Sequence, residues 1–157
     1  LAYSARGTPL AGRGALVANH SSWIDIVALQ RAAAPFLVSK SEVRGWPGIG
    51  LIGRAIGTMF IDRRPARAKQ QEGELQARLA RGDLMALFPE GTSSDGQRVL
   101  PFKSSLFGVF FAPELDGRVA VQPVTIVYRP GPGRPADLYA WWGEMEFAPH
   151  LLQVLAR

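Results

Sequence analysis

No cysteine occurs in the 157 residues, so disulfides, thiolate nucleophiles and thiolate metal ligands are excluded. Histidine is nearly missing as well. His20 and His150 are the only two, a supply on which no zinc site is expected. No stretch approaches the roughly 18 to 20 uninterrupted apolar residues of a transmembrane helix, and no signal peptide is visible. Internal repeats and low-complexity linkers are absent, and so is the Gly-x-Ser-x-Gly elbow of a serine hydrolase. Lysine is scarce: of 18 basic residues only Lys40, Lys69 and Lys103 are lysines, and the other fifteen are arginines.

What is present is globular in character, with 47% hydrophobic and 20% charged residues. The length suits one domain with a substantial core, which we expect to span residues 1–157. The chain begins at Leu1 and reaches a strand almost at once, so we expect a piece trimmed at both ends, with any membrane anchor outside it. A net charge of +5 carried by arginines suits anionic partners: phosphates, nucleic acid or a lipid headgroup layer. The arginines are scattered, and the apolar content around Trp46 and Phe110 suits lipid better, so no nucleic-acid partner is expected.

The stretch Asn19-His20-Ser21-Ser22-Trp23-Ile24-Asp25 holds the candidate chemistry. Five positions on one continuous helix would place His20 and Asp25 about 140° apart. They can meet if His20 ends a strand and Asp25 lies one turn into the following helix. Gly14 to Ala18 is an apolar run suited to a buried parallel strand, and Ser21 or Ser22 can cap a helix on which Ile24, Val27 and Ala28 take helical spacing. A carboxylate on one ring nitrogen would fix the tautomer of a general base. The same residues also fit an ordinary strand-end histidine and a first-turn aspartate favoured by the helix dipole.

Along the chain, strand Ala15–Asn19, a helix from Ser22 to about Ala33 stopped by Pro35, and strand Phe36–Val38 open an α/β sheet. Pro47 can start a helix reaching Ala55, with Gly57 as its stop. Its surplus apolar residues either pack on the sheet, the favoured reading, or dip through Trp46, Ile49 and Ile52 into a bilayer surface. Strand Thr58–Ile61 leads to Asp62, Arg63 and Arg64. Pro65–Arg81 is an amphipathic surface helix ended by Gly82, and Leu84–Phe88 is a sheet-centre strand followed by the turn-rich loop Pro89–Gly96. We expect a helix within Val99–Ala112 capped by Ser104 or Ser105, a long strand over Val119–Tyr128, a strand at Leu138–Trp142 and a helix from His150. Pro123 inside a strand points to an edge, a bulge or a close backbone approach.

Four blocks in order then carry a resemblance. They are Asn19-His20-x4-Asp25, Gly57-x2-Phe60-Ile61-x-Arg63, Phe88-Pro89-Glu90-Gly91-Thr92-Ser93 and Val121-x-Pro123-Val124. In these blocks the chain resembles the glycerolipid acyltransferases typified by 1-acylglycerol-3-phosphate acyltransferases. The resemblance implies an α/β fold with a mixed, largely parallel central sheet flanked by helices. It implies that His20, oriented by Asp25, deprotonates a lysolipid hydroxyl that attacks acyl-CoA or acyl carrier protein, with no covalent acyl-enzyme and no other cofactor or metal. Arg63 would grip the acceptor's anionic head, while Glu90, Gly91 and Thr92 would shape the acceptor pocket, Glu90 accepting from a hydroxyl. Ser105 replaces the glycine that many members carry after Phe-Lys-x, and the stretch 92–105 looks more like the bacterial branch that acylates lyso-ornithine lipid. Both that acceptor and lysophosphatidic acid are therefore implied. The setting implied is phospholipid biosynthesis at the cytoplasmic face of the inner membrane, with peripheral or anchored attachment to the membrane surface. A rival of another class is a non-catalytic domain that binds anionic lipid, for which a paired His20 and Asp25 would have no use.

Overall fold

A computed structural model describes residues 2–46, 49–62, 64–104 and 107–156. Five short apolar segments, β1 (Gly14–Ala18), β2 (Phe36–Lys40), β3 (Met59–Ile61), β4 (Leu84–Leu87) and β5 (Ala120–Val124), form one sheet in the order β3-β2-β4-β1-β5. Among the described residues every pairing is parallel, where a mixed, largely parallel sheet was expected. Parallel neighbours need crossovers, which α1 (Ile24–Ala33), α2 (Ile49–Ala55) and α3 (Pro65–Arg81) supply; α4 (Phe147–Leu155) comes last.

Side chains leave a strand on alternate faces, and the core divides accordingly. On one face Ala15, Met85 and Leu87 meet Met59 and, from α3, Leu75 and Leu79. On the other, Leu16, Ala18, Ala86 and Leu37 meet Leu29 of α1. Strands covered on both faces read as continuous apolar runs, which is why β1 and β4 are legible without alternation. Leu79 is wholly buried, and burial of such a side chain contributes about 1.5–3 kcal/mol. The expected limits of α3 hold: Pro65 opens it, and Gly82 at φ 104° returns its amide to the carbonyls of Arg78 and Leu79.

Four expectations change. Leu51 and Ile52 of α2 stay 64% and 61% exposed and do not pack on the sheet. Gly50 instead sits against the Arg44 carbonyl, where a Cβ would come within 2.1 Å of the oxygen; Pro47, expected to start this helix, lies outside the described residues. Among the described residues of Val99–Ala112 the expected helix is missing and a 3₁₀ turn stands at Gly108–Phe111, followed by another at Pro113–Leu115; the Leu100 amide is held by Glu90 and the Lys103 amide by the Pro89 carbonyl. Ser105, one of its two expected caps beside Ser104, is also outside the described residues. Leu138–Trp142 is not a strand: Leu138 and Ala140 donate to Pro135 and Asp137 three residues back, so their amides belong to turns. β5 stops at Val124 because β1 ends at Ala18, and Pro123 sits on this edge strand opposite Val17.

Candidate active site

Parallel strands bring their carboxyl ends to one edge, and the segments following β1, β4 and β5 converge there. His20 lies two residues past β1 and Asp25 is the second residue of α1, the strand-turn-helix placement expected of them. Nδ1 of His20 is 2.8 Å from Oδ2 of Asp25. The same oxygen accepts the amides of Ser21 and Ser22 at 2.8 and 3.0 Å, and the Tyr128 hydroxyl donates to Oδ1 at 2.5 Å. Four donors thus satisfy a carboxylate that is wholly buried, a condition such a group requires.

Capping runs opposite to expectation. Trp23 occupies the position before α1 without a side-chain capping bond, and Asp25 gathers the serine amides rather than a serine oxygen gathering helix amides. Ser22 Oγ is buried and has no partner among the described residues.

An acceptor opposite Nδ1 places the ring proton there and leaves the lone pair on Nε2, a tautomer assigned from its partner. Nε2 has no hydrogen-bond partner among the described residues, and the side chain is 19% exposed. The ring also stacks on Phe88 at 4.1 Å between centroids with 21° between planes. It is therefore held by an edge and a face, with one basic nitrogen open. Burial first, then the charge and hydrogen bond of Asp25, push the Tyr128 phenol far above its ordinary range, so it stays a donor.

Glu90 is buried and joins two loops: Oε1 takes the His20 amide and Oε2 the Leu100 amide, each at 2.7 Å. Ser94 closes the same bracket with its amide on the His20 carbonyl at 3.0 Å. Gly91 follows at φ +68°, with the Lys103 side chain packed across the place where a Cβ would stand. Thr92 is exposed on that loop. The structure thus brings His20, Asp25 and Glu90 together with Gly91 and Thr92 on the adjoining turn, whereas Arg63 lies outside the described residues.

Three contributors were not anticipated. Phe88 opened a motif without being given a task. Asn19 grips both backbone groups of Ile126, donating to the carbonyl at 3.0 Å and accepting the amide at 2.8 Å. Tyr128 stood at the end of a β-branched run as a strand residue, and its polar tip after Val127 was the available signal.

The family model described as Acyltransferase matches residues 4–127, a span that includes all four blocks, and the chain belongs to that family. Among its relatives, the lyso-ornithine lipid O-acyltransferase of Rhodobacter capsulatus is 47% identical over 156 residues, covering 99% of this chain and 56% of that protein. The 1-acyl-sn-glycerol-3-phosphate acyltransferase of Neisseria gonorrhoeae is 38% identical over 104 residues, 65% of this chain and 41% of that one. The crystal structure of the 1-acyl-sn-glycerophosphate (LPA) acyltransferase PlsC from Thermotoga maritima superimposes with a TM-score of 0.53 at 30% identity, over 65% of this chain and 41% of its own. The chain spans about half the length of the curated relatives it matches.

Proposed function

We propose that this protein is an O-acyltransferase that moves a fatty acyl group from acyl-CoA or acyl carrier protein to the free hydroxyl of a lysolipid. The observation that carries the reading is the His20 ring, anchored at Nδ1 by buried Asp25 and open at Nε2, at the ligand-binding edge of a parallel sheet. Nε2 takes the hydroxyl proton as the oxygen attacks the thioester carbonyl. The C–S bond then breaks, the ester remains, and the proton passes to the departing sulfur. A thioester is already activated, so a base for the alcohol is the missing component, worth about 10² to 10⁴ in rate. No acyl-enzyme and no further cofactor enter the scheme. Arg63 takes the acceptor's anionic head, for which a forked guanidinium is suited, and the Glu90, Gly91 and Thr92 loop borders the acceptor.

The match to a lyso-ornithine lipid O-acyltransferase over nearly the whole chain supports that acceptor, with lysophosphatidic acid as the alternative. We place the reaction in lipid biosynthesis at the cytoplasmic face of the inner membrane. No helix among the described residues is long and apolar enough to cross a membrane. Exposed Leu51 and Ile52 on α2, with exposed Arg44 and Arg54 beside them, suit contact with an anionic lipid surface.

The test is the full-length protein with lyso-ornithine lipid and lysophosphatidic acid side by side, each with acyl-CoA and acyl carrier protein donors, followed by thiol release. His20→Ala should abolish release while circular dichroism stays unchanged. Salt-sensitive liposome binding without turnover, indifferent to Asp25→Asn, would instead identify an anionic-lipid-binding domain.

A further inference from the structure

Asp25 carries two oxygens, and the reaction as written uses only the one on His20. The other is held by Tyr128 at 2.5 Å, from a segment that belongs to no strand. That segment reaches the site because Asn19 binds both backbone groups of Ile126, two residues before Tyr128. A closed circuit results: Asn19 fixes Ile126, Ile126 carries Tyr128, Tyr128 grips Asp25, and Asp25 grips His20, the residue next to Asn19.

We propose that Tyr128 is a positioning residue that sets the strength of the His20 base by holding and partly neutralising the far oxygen of Asp25. The proposal rests on the acyl-transfer reading for its role in the reaction, while its chemistry belongs to His20, Asp25 and Tyr128 themselves. A donor on Oδ1 draws negative charge away from Oδ2, weakening the attraction of the carboxylate for a proton on the imidazole. Oδ2 stays aimed at Nδ1 through the amides of Ser21 and Ser22, so the Tyr128 bond acts on the charge of the carboxylate rather than on its aim. The phenol suits this task, since its burial and the neighbouring charge keep it protonated. The other titratable groups facing the circuit are Glu90, bonded to the His20 amide; Tyr139, whose ring is 5.9 Å from that of Tyr128; and Asp95, which shares with Tyr128 a cavity of about 70 Å³.

Tyr128→Phe removes the donor and keeps the ring. In the full-length protein it should lower the rate at acidic and neutral pH and restore it at alkaline pH, with KM unchanged, because a ring that holds its proton more tightly is less often free to act as the base. The acidic limb of the kcat/KM profile should accordingly move to higher pH. The His20 ring-proton NMR titration, its signal assigned by disappearance in His20→Ala, gives the same readout without turnover. Its midpoint should rise in Tyr128→Phe, and a midpoint that stays put or falls overturns the proposal whatever happens to kcat, because loss of a merely structural contact does not change the ring's proton affinity. If Tyr128→Phe fails to fold, a monofluorinated tyrosine placed only at 128 keeps the bond and strengthens the donor. The midpoint should then fall, and no movement or a rise overturns the proposal. Absence of acyl transfer in the parent protein, with these NMR shifts intact, would instead sink the enzymatic reading alone.

Discussion

Nδ1 of His20 lies 2.8 Å from an Asp25 oxygen that two backbone amides also hold, so the carboxylate orients the ring and also closes the turn between β1 and α1. The two duties should separate by substitution. An asparagine at 25 can keep its oxygen where Oδ2 stands and turn its NH2 toward the Tyr128 oxygen, which is able to accept. Asp25→Asn should therefore fold with a modest loss of stability, while the loss of the charge that steadies the imidazolium lowers kcat by about 10² or more. Asp25→Ala leaves the Ser21 and Ser22 amides and the Tyr128 hydroxyl without an acceptor, at about 1–3 kcal/mol each. Urea denaturation beside thiol-release kinetics separates the cases: equal stability of the two variants would show that Asp25 does not close the turn.

Glu90 makes the opposite prediction about its amide. Both oxygens accept from backbone N–H groups, of His20 and of Leu100, so one NH2 of a glutamine must face a donor. Glu90→Gln should cost nearly as much stability as Glu90→Ala, about 1–3 kcal/mol, with the His20 loop loosened in both. Denaturation midpoints compared at equal m-value check this. A glutamine variant as stable as the parent would mean that the two amides find other acceptors.

The elements that surfaced early are those whose signals are local. Pro65 and Gly82 bracket α3 by backbone geometry, and the apolar runs of β1 and β4 follow from burial on both faces. His20 and Asp25 stood out through the four ordered blocks, since their spacing alone fits an incidental strand-end histidine and first-turn aspartate as well. Tyr128 did not, because its bond to Asp25 spans 103 positions and depends on Asn19 gripping Ile126, a contact with no periodicity. The expected helix within 99–112 and strand at 138–142 failed for a related reason: the amides of Lys103, Phe107, Leu138, Ala140 and Trp141 are claimed by distant or turn carbonyls, which outweighs intrinsic propensity.

Gly91 sits at φ +68°, and a Cβ there would stand 2.7–3.0 Å from Nζ, Cε and Cδ of Lys103. Gly91→Ala incurs about 1–2 kcal/mol of left-handed backbone strain together with displacement of the Lys103 stem. Lys103→Ala in the same background should recover the second part and leave the first. Thermal melts of the two single variants and the double variant supply the cycle. Strict additivity would show that the lysine moves aside freely.

His150 links α4 to the catalytic turn: it is buried, and its Nδ1 accepts the indole N–H of Trp23 at 2.9 Å, two residues before Asp25. Burial lowers its pKa from the ordinary 6.5, against an opposing contribution from the carbonyls of Leu138 and Ala140. Because the folded value is depressed, the stability tied to neutral His150 is complete above 6.5 and is lost as pH falls through the folded value beneath it. Protonation at Nδ1 also removes the acceptor of Trp23. Urea midpoints should therefore decline from about pH 7 to about pH 5. They should decline less in His150→Asn, whose side-chain oxygen can accept from the indole but takes up no proton in that window. His20 is present in both proteins, so the difference between the two slopes belongs to His150. Parallel slopes would place the titrating group elsewhere.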